Sequence, residues 1–228
     1  MVEPGHPRSA MILAAGRGER MRPLTDRAPK PLLEVRGKAL IEYHLERLAR
    51  AGISQVVVNL CWLGAMIRER LGDGARYGVR IAYSEELPDA LETGGGIFRA
   101  LPLLGDQPFL VVNGDVFTDY PVAGATLGRD SDAHLVLVPN PPQHRQGDFG
   151  LERGRAVPSA AVQYTFSGIA SYRPEFFAGC VDGAFPLKPL LLRSMAAGRC
   201  SAELYGGLWE DVGTPQRLAA LNAPGGVK

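Results

Sequence analysis

Apolar and polar positions along the chain fall into alternating segments of strand and helix length. Met11 to Ala15 is a short apolar run of strand length. Leu40, Ile41, Leu45, Leu48 and Ala49 recur at helical spacing, and Gly52 stands where that helix stops. Gln55 to Leu60 is apolar and β-branched, which predicts a second buried strand. A helix is expected over Trp62 to Leu71, closed by Gly72-Asp73-Gly74, then a strand over Arg80 to Glu85 and a polar loop. Leu91 to Ile97 opens a further helix, and Pro108 to Asp115 and His134 to Asn140 are buried strands of the same kind. Strands alternating with helices predict an α/β fold, a Rossmann-like, doubly wound, mostly parallel sheet. One domain is expected over residues 10–228, with residues 1–9 as a flexible tail.

The second half is less regular. Gln143 to Leu151 is a polar loop turning into a strand, and Thr165 to Tyr172 is a strand interrupted by Gly168. Pro186 to Ala197 is a helix with its proline near the start, ending at Gly198. Leu208 to Val212 is a strand closed by Gly213, with Thr214 capping a helix that runs towards Leu221.

Composition narrows the partners. A net charge of +1 with acids and bases well mixed leaves no electrostatic footprint for nucleic acid or an anionic membrane, so any phosphate binding is local. Cys61, Cys180 and Cys200 are far apart and lack metal-ligand spacing, which suits a reducing cytosol and buried, small apolar side chains. No run reaches the length of a membrane span and the first residues hold no signal segment, so a cytoplasmic location is expected.

The chemistry is concentrated after the first strand. Gly16 and Gly18 let backbone amides approach a polyphosphate without interference from a Cβ, and Arg17, Arg20 and Arg22 bring positive charge to the same turn. Lys30 lies in Pro29-Lys30-Pro31, where the following proline predicts an extended backbone and an aimed ammonium suited to a phosphate. Two glycine motifs are excluded. A dinucleotide fingerprint needs a third glycine where Met21 stands, and a P-loop needs Gly-Lys-Ser/Thr where the chain reads Met21-Arg22-Pro23.

Three further positions carry candidate chemistry. Gly94-Gly95-Gly96 opening a helix is costly unless something approaches the backbone closely, and a nucleobase or ribose is a natural candidate beside the plainer reading of a helix start capped by Thr93. Asp115 ends an apolar strand, where open α/β sheets bind ligands, although aspartates in such turns also serve structure. Asp211 ends another strand far along the chain, and two carboxylates together with substrate phosphates can hold one Mg²⁺.

Leu13-Ala14-Ala15-Gly16-x-Gly18-x-Arg20-Met21-x-Pro23-Leu24-Thr25, followed by Pro29-Lys30-Pro31, resembles the signature of the sugar-1-phosphate nucleotidyltransferases, and the similarity runs from Met11 to Leu221. The resemblance implies the nucleotidyltransferase, GT-A-like fold and Mg²⁺-dependent joining of UTP to a sugar 1-phosphate with release of pyrophosphate. It places Ala14, Ala15, Gly16, Gly18, Glu92, Thr93, Gly94 and Gly95 at the nucleotide, with Glu92 standing where the family usually has glycine. Asn113, Gly147, Ser167 and Gly168, with Asp148 as a neighbour, fall at the sugar phosphate. Asp115 and Asp211 fall at the metal, and Lys30 and Arg20 at the reacting phosphates.

Within the family the resemblance is to the uridylyltransferases of cell-wall recycling, which act on N-acetylmuramate 1-phosphate. Its carriers are the Leu91 to Gly96 stretch, the Gly147-Asp148-Phe149 loop and the compact length. Guanylyl transfer to mannose 1-phosphate and thymidylyl transfer to glucose 1-phosphate are the alternatives. A non-catalytic nucleotide-sensing subunit is a third, and it should have lost Lys30 or one of the two aspartates.

Overall fold

The structure is a computed structural model that describes residues 6–224. Residues 1–5 of the expected tail lie outside the described residues, and Ser9 already belongs to the first strand. In chain order the elements are β1 (Ser9–Leu13), β2 (Glu34–Val35), β3 (Lys38–Ala39), α1 (Leu40–Arg50), β4 (Gln55–Leu60), α2 (Gly64–Leu71), β5 (Arg80–Glu85) and α3 (Glu92–Leu104). There follow β6 (Phe109–Asn113), β7 (Val116–Thr118), β8 (Ala133–Val138), β9 (Phe149–Glu152), β10 (Arg155–Val157) and β11 (Gln163–Tyr172). The chain closes with α4 (Lys188–Ala196), β12 (Cys200–Leu204), β13 (Trp209–Asp211) and α5 (Pro215–Asn222).

The main sheet has the order β5-β4-β1-β6-β11-β8-β12-β10-β9. Strands β5, β4, β1, β6, β8, β12 and β9 point one way, and only β11 and β10 run against them. Its parallel half is buried on both faces, which is why β1 and β4 read as unbroken apolar runs. Ala10 and Ile12 face a cluster with Ile41, Leu45 and Leu48 of α1 and Ile67 of α2. The intervening Met11 faces Ile97 and Leu104 of α3, a layer that continues to Leu191 of α4. Each large side chain buried this way contributes roughly 1.5–3 kcal/mol. A smaller cluster of Met21, Val35, Leu40, Phe117, Val212 and Leu221 fastens the loop after β1 to β7, β13 and α5.

Several boundaries differ from the expectation. Trp62 is in a turn before α2, not within the helix, and Leu63 there takes φ 50°. Lys30 is not extended. It opens a single 3-10 turn over Lys30–Leu32, where Pro31 is tolerated because an amide so near a helix start needs no partner within the helix. The strand expected to reach Asp115 stops at Asn113, and Val116–Thr118 leaves the main sheet to pair with β13.

β11 changes partners along its length. Ile169 to Tyr172 pair with β6, whereas Gln163 and Tyr164 pair with β9, with an irregularity between Phe166 and Ile169. Gly168 sits in that break at φ 77°, and a Cβ there would come within 2.5 Å of the Asn113 amide. The sheet therefore splays beyond the carboxyl end of β6. A cavity forms in the opening.

Candidate active site

Two cavities meet at the carboxyl ends of the parallel strands. The larger, about 410 Å³, is lined by Ala14, Ala15, Gly16, Gly18, Lys30, Asn59, Glu86, Glu92 and Thr93 among others. The smaller, about 260 Å³, is lined by Pro141, Gln143, His144, Phe166, Ser167, Trp209 and Asp211. Arg20, Asn113 and Asp115 line both. That shared wall is where molecules bound in the two cavities would touch.

Asp115 and Asp211 are brought together by the β7–β13 ladder, in which Asp211 lies opposite Val116. The Val212 amide donates to the Asp115 carbonyl at 2.9 Å, so the two strand ends cannot drift apart independently. The Lys30 ammonium pairs with Asp115 Oδ2 and lies 4.0 Å from Asp211 Oδ1. Arg217, from α5, holds Asp211 from behind at 2.9 Å and also donates to its carbonyl at 2.7 Å. Gly114 is required by crowding. Its amide donates to the Leu13 carbonyl at 2.9 Å, and a Cβ would stand 2.6 Å from that same oxygen.

The three arginines of the glycine turn divide their work. Arg17 stacks on Trp62 at 3.7 Å, donates to the Thr25 carbonyl at 2.9 Å and pairs with Asp26 at 2.7 Å. Arg22 pairs with Glu19 and Asp26. Only Arg20 has no protein partner among the described residues while lining both cavities. Trp62 also donates its indole N–H to the Thr25 carbonyl at 2.9 Å, and Thr25 donates to the Gly18 carbonyl at 2.9 Å. The turn is thus held from outside by a residue of the β4–α2 connection.

Asn59 and Glu86 line the larger cavity, and the sequence reading missed both. Asn59 accepts from the Ala14 amide at 2.6 Å and donates to Glu86 at 2.6 Å, while the other Glu86 oxygen accepts from the Leu91 amide at 2.7 Å. This chain ties the turn after β1 to the start of α3. The one signal was Asn59 itself, a polar residue inside the apolar run of β4.

The three glycines of α3 are packed closely against protein. A Cβ on Gly94 would stand 2.5 Å and 2.6 Å from the Phe185 ring, one on Gly95 would collide with the Gly183 carbonyl, and one on Gly96 would stand 2.5 Å from Glu86. Gly94 and Gly95 are buried and do not line the cavity, whereas Glu92 and Thr93 do. Glu92 adopts φ 58°, a left-handed conformation that explains why glycine suits the position.

Around the smaller cavity, Asn113 and Ser167 line the wall, but Gly147, Asp148 and Gly168 stand behind it. Asp148 accepts from His144 Nε2 at 3.1 Å and from the Phe166 amide at 2.8 Å, so it orients the wall from behind. Trp209 is locked by its indole N–H to the Ser167 carbonyl at 2.9 Å.

Other titratable groups support the frame. His44 of α1 is buried and hydrogen-bonds the Val116 carbonyl beside Asp115; burial, with Arg47 nearby, lowers it to about 3, so it is neutral. Burial raises Glu210, opposed by Arg217. Cys200 is buried and pushed up to about 12 by that burial, whereas Cys61 and Cys180 are only half-buried. Among the described residues no helix is long and apolar enough to cross a membrane.

Comparison with known proteins points the same way as the geometry. The nucleotidyl transferase family matches residues 9–155. An N-acetylmuramate alpha-1-phosphate uridylyltransferase of Neisseria meningitidis is 52% identical over 232 residues, covering 96% of this chain and 98% of the relative. A protein of the same name from Caulobacter vibrioides is 38% identical, covering 95% and 96%. Among solved structures, a glucose-1-phosphate thymidylyltransferase described as putative, from Bacillus anthracis, superposes with a TM-score of 0.82 at 19% identity, covering 94% of this chain and 93% of that one.

Proposed function

The chain belongs to the nucleotidyl transferase family, and from that premise we propose that it transfers the uridylyl group of UTP to N-acetylmuramate 1-phosphate, releasing pyrophosphate. The single observation that carries this reading is the meeting of two cavities at Arg20, Asn113 and Asp115, beside the Lys30–Asp115–Asp211 cluster. The sugar is chosen from the full-length match to uridylyltransferases acting on the muramate phosphate. A mannose-1-phosphate guanylyltransferase from Mycobacterium tuberculosis matches over only 57% of the chain and 34% of its own length.

No general base is needed. A phosphate monoester is largely dianionic near neutrality, its second pKa being about 6, so the attacking oxygen is already ionised. The task is to bring two polyanions together and stabilise the charge that moves to the departing pyrophosphate. Gly16 and Gly18 offer backbone to the triphosphate, and Arg20, unpaired among the described residues, takes the leaving pyrophosphate. Lys30 faces the phosphate under attack. Asn113 and Ser167 position the sugar phosphate from the other side.

A divalent cation fits the carboxylate pair. Asp115 and Asp211 present hard oxygen donors that already converge on one cation, the Lys30 ammonium. Mg²⁺ favours one or two carboxylates, its shell being completed by substrate phosphate oxygens. When bound, Mg²⁺ would supply charge neutralisation to the reacting phosphates. The product would serve cell-wall recycling in the cytoplasm.

The test is pyrophosphate release with Mg²⁺ across UTP, dTTP, GTP and ATP, against the 1-phosphates of N-acetylmuramate, N-acetylglucosamine, glucose and mannose. Preference for UTP with the muramate phosphate is expected. Preference for GTP with mannose 1-phosphate would retain the chemistry and overturn the substrate, and silence throughout would overturn both.

A further inference from the structure

We propose that His144 reads the carboxylate of the sugar's lactyl ether, and so selects N-acetylmuramate 1-phosphate over sugars that lack it. The inference rests on the uridylyl-transfer reading and deepens it. N-acetylmuramate 1-phosphate carries two separate anions, the phosphate on C1 and the lactyl carboxylate on the C3 oxygen. The first belongs at Asp115, Asp211 and Lys30. The second needs a donor farther along the smaller cavity.

The basic side chains lining that cavity are Arg20, at its junction with the nucleotide cavity, and His144, on the Pro141–His144 wall. Arg20 is committed to phosphate. His144 is left.

The segment that carries His144 has no regular secondary structure, yet it is tied down. Asn140 donates to the Arg145 carbonyl at 3.1 Å and to the Gln163 carbonyl at 2.9 Å, and accepts from Thr165 at 2.9 Å. The His144 amide closes a turn on the Pro141 carbonyl at 2.9 Å, and the Asp148 amide donates to the Tyr164 carbonyl at 2.8 Å. The imidazole is fixed in turn, because Asp148 holds Nε2 at 3.1 Å while its other oxygen is anchored by the Phe166 amide at 2.8 Å. Nε2 is taken by Asp148, so Nδ1 is the ring nitrogen left to donate to a substrate carboxylate. Phe166 and Trp209 line the same cavity and offer apolar faces to the ring between the two anions. A loop fixed at this many points holds its donor at one distance from the phosphate site, as discrimination requires.

The test compares the wild-type enzyme with His144→Gln and His144→Ala, using UTP against N-acetylmuramate 1-phosphate and N-acetylglucosamine 1-phosphate. These sugars differ only by the lactyl ether. Both variants are expected to lose about tenfold or more in kcat/KM for the muramate phosphate, mainly through KM, as loss of a charge-assisted hydrogen bond implies. The ratio between the two sugars should collapse accordingly. An unchanged value for the muramate phosphate, or an equal fall for both sugars, would overturn the assignment, the latter showing that His144 only supports the loop. A wild-type enzyme that shows no preference for the muramate phosphate would instead refute the underlying substrate reading, so the two failures are distinguishable.

Discussion

Replacing Gly94 with alanine separates two explanations of the glycine run that opens α3. If the glycines exist to admit a nucleobase, an added methyl group should weaken UTP binding and, by helix propensity, stabilise the protein by about 0.5–1 kcal/mol. The structure predicts the opposite balance. The new Cβ would stand 2.5 Å and 2.6 Å from two Phe185 ring carbons and 2.8 Å from its carbonyl oxygen, against an ordinary contact of roughly 3.5–4.0 Å. The ring can tilt, but the carbonyl cannot easily retreat. It accepts from the Gly95 amide at 3.1 Å, while the Phe185 amide donates to the Leu91 carbonyl at 3.2 Å. Overpacking of this kind costs about 1–3 kcal/mol, and the pinned backbone puts Gly94 in the upper part of that range. After the propensity gain, a net loss of about 2 kcal/mol remains, a fall in Tm of roughly 4–8 °C for a chain of this size. Thermal unfolding of Gly94→Ala, Phe185→Ala and the double variant measures it. The double variant should be less destabilised than the sum of the singles by about 1 kcal/mol, because removing the ring removes the two nearest clashes. A Gly94→Ala protein as stable as wild type but with a much raised KM for UTP would refute the packing argument.

Two further predictions concern the frame of the site. Trp62→Ala removes both the indole hydrogen bond to the Thr25 carbonyl and the surface on which Arg17 stacks, together worth about 1–2 kcal/mol. It should therefore raise KM for UTP about tenfold with the sugar phosphate saturating, and Trp62→Phe should raise it less; an unchanged KM in Trp62→Ala would show that the turn needs no outside support. His44 supplies a pH dependence, since its folded value of about 3 lies below the ordinary 6.5. Between these values the unfolded chain holds a proton that the folded chain refuses, so stability falls as pH drops through the window and is unaffected above it. At pH 5 the cost is about 2 kcal/mol. His44→Asn should flatten that slope in denaturant titrations from pH 7 to 5, and an equally steep slope would move its origin elsewhere.

What the sequence made legible was local. The apolar runs of β1, β4, β6 and β8, the helix α1 and the strand-end aspartates were visible because each is written in a few consecutive residues. The missing parts depend on contacts between distant segments. Asn59 and Glu86 matter because β4 ends beside β1 and β5 ends beside β4, and no local pattern reports that adjacency. The strand β12 is short and amphipathic, and its place between β8 and β10 is a long-range fact. The glycines of α3 carried a true signal of close approach, and the approaching groups are Gly183 and Phe185 for Gly94 and Gly95 and Glu86 for Gly96. Arg17 and Arg22 look locally like charges for phosphate, whereas their acidic partners Glu19 and Asp26 lie within the same loop and take them up.

The most direct test of the account is the rate of pyrophosphate release from UTP and N-acetylmuramate 1-phosphate with Mg²⁺, measured side by side for the wild-type protein, Asp115→Asn and Asp211→Asn. The account predicts UDP-N-acetylmuramate in step with pyrophosphate from wild type, and turnover at least about a hundredfold slower in either variant with its fold retained. Near-normal turnover in either variant, or no turnover by the wild-type protein, would contradict it.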